Sequence, residues 1–138
     1  MGVIVKHTGV YSSIQDRGRY SGLSFGIPIS GAMDLHLYNF ANRCLKNDEN
    51  SATIEFYQQG LSLQFESIAL VCVASLSATI LVNDKEVEAN VVLRLNADDV
   101  LKIKQLKVGN WGYVAIKGGF DTKSYFGSQS FYNVFPSL

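Results

Sequence analysis

Apolar and polar positions along this chain follow a strand-like pattern up to about residue 33, a helical one to about residue 45 and a strand-like one again beyond residue 52. Val3-Ile4-Val5 is a short apolar run closed by His7-Thr8-Gly9, the pattern of a strand ending in a turn. Tyr11 to Gln15 predicts a second short strand, and residues 16–24, with glycines at 18 and 22, predict a loop. Ile27-Pro28-Ile29 is extended, because proline biases its predecessor towards the β region. Met33, Leu37, Phe40, Ala41, Cys44 and Leu45 then recur at helical spacing and predict a helix over 34–45 with those residues on its buried face. Asp34 caps the first turn, Arg43 and Lys46 suit the far end of the dipole, and Asn47 is placed to end the helix in the left-handed region.

From residue 52 the chain alternates as strands do. Thr53–Tyr57 and Leu61–Phe65 flank a turn at Gln58-Gln59-Gly60, and Ile68–Ala74 is a near-continuous apolar strand. Ala78–Val82 leads through Asn83-Asp84 to Glu86–Glu88, a hairpin signal. Val91–Leu95, Asn96-Ala97-Asp98-Asp99 and Val100–Ile103 repeat that theme, and Gly112–Lys117 adds one more strand before Gly118-Gly119. Many short strands with one early helix predict a mainly β barrel or sandwich, a single domain over 1–138 without linker or internal repeat.

Composition narrows the classes. The chain is 47% apolar and 17% charged, with 12 basic and 12 acidic residues and no Lys/Arg-rich run, so neither nucleic acid nor an anionic membrane is an expected partner. Cys44 and Cys72 have no C-x-x-C spacing and no companion histidines, so no metal site is expected and both read as ordinary buried thiols. The first residues lack a signal-peptide pattern, and the Ile68–Val73 run is too short to span a bilayer. A soluble, cytoplasmic protein is expected.

Candidate chemistry gathers in two glycine-containing loops around the helix start, Gln15-Asp16-Arg17-Gly18-Arg19 and Ser30-Gly31-Ala32-Met33-Asp34. Arg17 and Arg19 offer planar forks for a carboxylate, or else pair with Asp16 or face water. Asp16 reads mainly as a loop lock that accepts backbone N–H bonds. Ser30-Gly31-Ala32 is either a nest of N–H donors for a developing oxyanion or an ordinary loop into a capped helix. Ser30 as a nucleophile finds only His7 and His36 as bases, which argues against a hydrolase triad. Glu55 alternates with Ile54 and Phe56: turned outward it is a surface charge, and turned inward it is a carboxyl of raised pKa suited to acid–base work. Trp111 and Tyr113 read as core or edge cover. There is no G-x-x-x-x-G-K-[ST] phosphate loop, and Ala32-Met33 precedes Asp34 rather than lysine, which excludes a biotin attachment site.

Taken together, Gly9, Gln15-Asp16-Arg17-Gly18-Arg19, Gly26, Pro28, Ser30-Gly31-Ala32-Met33-Asp34, Ala41-Asn42, Glu55, Gly60, Gly118-Gly119 and Gly127-Ser128 resemble the allophanate hydrolase subunit 2 family. That family includes the C subunit of bacterial 5-oxoprolinase and the carboxyltransferase part of urea carboxylase. The resemblance implies a cyclophilin-like closed β-barrel with one main helix near 34–45, corresponding to the N-terminal half of longer relatives, with the second half absent. It implies a subunit of a heteromeric complex that opens the lactam of 5-oxoproline to glutamate at the expense of ATP, or a related carboxyltransferase or allophanate hydrolase, inactive in isolation. The alternative is a non-catalytic binding or regulatory module that pairs with a sister subunit.

The implied site is a pocket for a small carboxylate or amide substrate lined by Gln15, Asp16, Arg17, Arg19, Ser30, Gly31, Ala32 and Asp34, with Ser30 and Glu55 as the candidate catalytic groups. No cofactor is bound by the chain itself; ATP or biotin enters through a sister subunit and an ATP-using subunit. The family's basic residue and threonine in the late motif are replaced by Gln129 and Phe131, and a glycine turn is missing near Val73-Ala74-Ser75-Leu76. An aromatic tail, Phe131, Tyr132 and Phe135, would lie exposed if a second half normally covers it, giving a possible homo-oligomer.

Overall fold

The turn chemistry of the chain sends it back and forth between two antiparallel sheets. The computed structural model describes residues 2–131. The elements are β1 (Val3–Thr8), β2 (Tyr11–Gln15), a single 3-10 turn (Leu23–Phe25), α1 (Leu35–Cys44), β3 (Thr53–Tyr57), β4 (Leu61–Phe65), β5 (Ala69–Ala74), β6 (Ala78–Val82), β7 (Lys85–Val87), β8 (Val92–Leu95), β9 (Val100–Leu106) and β10 (Trp111–Ile116). One sheet runs β1-β4-β9-β6-β7 and the other β2-β3-β10-β5-β8. Every ladder is antiparallel.

The two sheets are not closed into a barrel. β1 and β7 are the edges of one sheet, β2 and β8 those of the other, and no ladder joins them among the described residues. The mainly β, one-helix reading holds; the closed barrel does not. The reason lies in the connections. β6 and β7 form the tight hairpin that Asn83-Asp84 predicts, with both turn residues at positive φ. The similar-looking turn at residues 96–99 instead carries the chain from β8, paired with β5, across to β9, paired with β4 and β6. Gln58-Gln59-Gly60 likewise joins strands of different sheets.

Two apolar layers result. Ile14, Ile54, Phe56, Leu63, Phe65, Val71, Val73, Ile80, Leu101, Ile103 and Val114 fill the space between the sheets. On the outer face of the β2-β3-β10-β5-β8 sheet, Cys72, Ala74, Tyr113 and Ala115 meet Leu37, Tyr38, Ala41 and Leu45 of the helical segment. Strands β5 and β10 are therefore covered on both faces, which is why Val71–Ala74 and Tyr113–Ala115 read as unbroken apolar runs. Gly112 leaves a notch for its cross-strand partner Phe56: a Cβ there would stand 2.1 Å from the Phe56 ring.

Helix α1 starts as predicted. Asp34 is its N-cap and accepts from the Leu37 N–H at 3.0 Å. Its buried face is rotated from the expected one: Leu37, Tyr38, Ala41 and Asn42 face inward, while Met33 and Phe40 are exposed. Tyr38 wins an interior place because its ring packs edge-on against Tyr113 and its hydroxyl donates to the Ser51 carbonyl at 2.8 Å. The helix ends one residue earlier than Asn47: Lys46 takes the left-handed conformation, its N–H bonding the Arg43 carbonyl while that of Asn47 bonds Asn42. Of the aromatic tail, Phe131 is half-buried and donates its N–H to Ile14; Tyr132 and Phe135 lie outside the described residues.

Candidate functional site

The two loops singled out by sequence lie side by side. The Arg19 N–H bonds the Ile29 carbonyl, the Ala32 N–H bonds the Asp16 carbonyl at 3.0 Å, and the Gly31 N–H bonds the Gln15 side-chain carbonyl at 3.0 Å. Gly31 has φ +92°, and a Cβ on it would sit 2.9 Å from both the Arg17 carbonyl oxygen and the Gly18 Cα. Only glycine permits that approach. Ser30 beside it also has positive φ, 55°.

A third segment closes on them. Asp16 is buried, and its Oδ1 accepts from the Gly18 N–H at 2.9 Å, Ser128 Oγ at 2.7 Å and Ser130 Oγ at 2.6 Å. Its Oδ2 accepts from the Gln129 N–H at 2.8 Å. Arg19 is fully buried and donates through Nε to the Tyr125 carbonyl and through Nη2 to those of Ser128 and Ser130. Burial pulls the Arg19 guanidinium below its ordinary pKa, and the neighbouring Asp16 charge opposes that fall. Gln129, which stands where the family resemblance places a basic residue, holds the segment by donating to the Phe120 and Thr122 carbonyls.

Glu55 faces away from Ile54 and Phe56, as alternation requires, yet it is buried, because that outer face lies beneath the 30–34 loop. Its Oε2 accepts from the Met33 N–H at 2.8 Å and from the hydroxyl of its cross-strand neighbour Tyr113 at 2.7 Å. Tyr113 in turn accepts from the Asp34 N–H at 2.8 Å. Burial raises the Glu55 carboxyl above the ordinary range, and the bonds from Met33 and Tyr113 only partly offset this. The surface-charge alternative for Glu55 is thereby corrected.

The predicted site residues thus divide in two. The side chains of Gln15, Asp16, Arg19 and Glu55 are turned inward and hold the loops. The N–H groups of Gly31, Ala32, Met33 and Asp34 all donate within the chain, so they do not form the open oxyanion nest that the loop sequence allows. The Arg17 side chain is half-exposed, with its Nη1 3.1 Å from the still more exposed Glu49 carboxylate. Ser30 is partly exposed, and its hydroxyl has no hydrogen-bond partner among the described residues. A polar cavity of about 70 Å³ opens beside Arg17, bounded by Asn39, Asn42, Arg43, Asn47 and Glu49. Cavities of about 420 and 390 Å³ beside Val3 and Ile116, and one of about 420 Å³ beside β6 and β7, touch none of the predicted site residues. Sequence reasoning missed Tyr113 and Ser130; the serine spacing around the Gly127-Ser128 motif is the one signal that pointed towards the latter.

The site is thus a helix-capped loop pair set on the outer face of a two-sheet β domain. Residues 25–134 match the family described as carboxyltransferase domain, subdomain A and B, and the chain belongs to that family. It is 35% identical over 127 residues to the urea amidolyase of Lachancea kluyveri, covering 91% of this chain and 7% of that protein. It is 36% identical over 109 residues to the 5-oxoprolinase C subunit of Haemophilus influenzae, covering 79% of this chain and 35% of that relative. The crystal structure of the K. lactis urea amidolyase superposes with a TM-score of 0.88 at 30% identity, over 93% of this chain and 8% of that one. The chain therefore spans only a minor part of the relatives it matches. Among the described residues no helix is long and apolar enough to cross a membrane.

Proposed function

We propose that this chain is a carboxyltransferase-like subunit, or a portion of one, within a heteromeric assembly of the 5-oxoprolinase type that converts the lactam of 5-oxoproline to glutamate. The observation that carries the reading is the division of the loop pair. Four inward side chains hold it, and the Arg17 guanidinium and Ser30 hydroxyl stand at its open side. In this reading Arg17, beside its polar cavity, binds the carboxylate of a small substrate, and Ser30 meets the amide carbonyl. Gln15, Asp16, Glu55 and Tyr113 are positioning residues. ATP or biotin, which would activate the carbonyl or carry a carboxyl group, is assigned in this reading to partner subunits.

The engaged N–H groups of residues 31–34 favour a second reading, a non-catalytic binding or regulatory module that pairs with a sister subunit. The two are separated by measuring ATP-dependent glutamate formation from 5-oxoproline, with this chain added to the sister and ATP-using subunits of its own organism. Catalysis predicts activity that depends on this chain, with Arg17→Ala raising KM about tenfold or more, the effect of losing a charged hydrogen bond of about 1.5–3 kcal/mol. A stable complex without activity selects the module.

A further inference from the structure

The polar cavity beside Arg17 brings together three charged side chains from different parts of the fold. Arg17 comes from the loop after β2, Arg43 from the last turn of α1 and Glu49 from the segment that follows the helix. Glu49 Oε2 stands 3.1 Å from Arg17 Nη1. Arg43 makes no ion pair among the described residues, so the walls hold two cations against one anion. Two of the lining amides are fixed. Asn42 is buried, donates to the Ser51 carbonyl at 3.1 Å and accepts from Asn47 Nδ2 at 3.0 Å; Asn47 also donates to the Ile116 carbonyl. Asn39 makes no side-chain hydrogen bond among the described residues and stays available to a ligand.

The Glu49 side chain is not what holds its segment in place. The Asn50 side chain accepts from the Arg17 N–H at 3.1 Å, and the Tyr38 hydroxyl bonds the Glu49 and Ser51 carbonyls. The side chains of the Arg17–Glu49 pair are 51% and 87% exposed, and such a pair contributes little to stability. What it does is occupy the Arg17 guanidinium with a carboxylate. The cavity measures about 70 Å³, roughly the share of two waters at about 30 Å³ each. That is room for a carboxylate-sized oxyanion, with the body of its molecule left outside.

We propose that this cavity is an oxyanion subsite shared by Arg17 and Arg43, in which the Glu49 carboxylate is a resident competitor that a ligand's carboxylate displaces. The proposal rests on the reading of Arg17 as the carboxylate binder and adds a second cation and an internal anion to it. On displacement the Glu49 side chain turns to water, at little cost because it is already largely exposed. Two guanidiniums then serve one anion, each with a planar fork suited to it. Glu49 stays near enough to repel a ligand's charge, and that repulsion scales with the charge. The site therefore takes a singly charged carboxylate in preference to a dianion, and Glu49 sets the preference.

The test is a titration of the full chain with 5-oxoproline and, separately, with sulfate at constant ionic strength, followed by the NMR shifts of the arginine Nε–H groups. Both anions are expected to give saturable shifts at Arg17 and Arg43. Arg17→Ala should raise both dissociation constants about tenfold, and Arg43→Ala about fivefold. Glu49→Gln should lower the sulfate constant about fivefold and the 5-oxoproline constant about twofold. All three side chains are exposed, so the variants are expected to fold, and unchanged backbone amide spectra away from the cavity check this. Binding that needs Arg17 but is unmoved by Arg43→Ala, or by Glu49→Gln, overturns the shared subsite and leaves Arg17 as the carboxylate binder. Binding indifferent to Arg17→Ala, or no saturable shift with either anion, overturns both.

Discussion

Two turn-rich ends of this molecule carry buried or half-buried aspartates, and they are built on opposite principles. At one end Asp99 accepts from the Asn96 N–H and the Asn83 amide, while the Asn83 side chain accepts from the Val100 N–H. Those partners lie three to seventeen positions apart, the turns sit at Asn83, Asp84 and Asp98 in the left-handed region, and Asn83 and Asn96 are exposed while Asp99 is half-buried. At the other end Asp16 accepts from Ser128, Gln129 and Ser130, more than a hundred positions away, and is sealed from water. The first arrangement shapes a turn. The second ties the start of the chain to residues 125–130 and sets the candidate site, so the site depends on the whole domain being folded.

The largest effect that would break this comparison is at Asp16. Asp16→Ala leaves two serine hydroxyls and two N–H groups without their buried acceptor and removes the negative charge near the buried Arg19, and is expected to cost about 3–5 kcal/mol in urea unfolding. A loss no greater than that of an exposed turn residue would refute the clasp. Tyr113→Phe comes next, since it strips a partner from both the Asp34 N–H and Glu55; about 1–3 kcal/mol is expected, read from the shift in denaturant midpoint.

Glu55 sharpens the contrast through pH. Its folded pKa is raised, so between the unfolded value near about 4.3 and the folded one the native state holds the extra proton. Its contribution is complete below the unfolded value and is lost as pH rises through the folded value. Glu55→Gln should therefore flatten the fall in stability relative to wild type in melts from about pH 4 to about pH 8; parallel profiles would sink the assignment. The smallest effect is expected at Asp99, whose carboxyl is held below its ordinary range by the Asn96 N–H first and the Asn83 amide second. Its stabilisation is present above the unfolded value and is lost as pH falls through the folded one. Being exposed to solvent screening, Asp99→Ala should cost at most about 1 kcal/mol, checked in the same melts.

Much was legible because it is local. Alternation marked β3 to β10 to within a few residues, and Asp34 announced the helix start. Asn83-Asp84 announced the hairpin. Three things were not. Similar turn chemistry at residues 96–99 conceals a crossing between sheets, because a turn constrains direction and not partner. The helix face was misplaced around Met33 and Phe40, because Tyr38 and Asn42 reach interior partners supplied by residue 51. Glu55 lies on the predicted face of its strand, but alternation carries no word of what covers that face.

By itself the amino-acid sequence determined the elements of this protein, the cap of its helix and the two loops where chemistry gathers, since periodicity and capping act over a few residues. It also determined the family, through motifs spread across the chain. Only the tertiary structure decided that the sheets stay open, that Asp16 and Arg19 face inward and that Glu55 lies under a loop. Each of those depends on groups brought together by the folding of the whole domain. Burial and long-range hydrogen bonding belong to the assembled chain, and no short window of residues contains them.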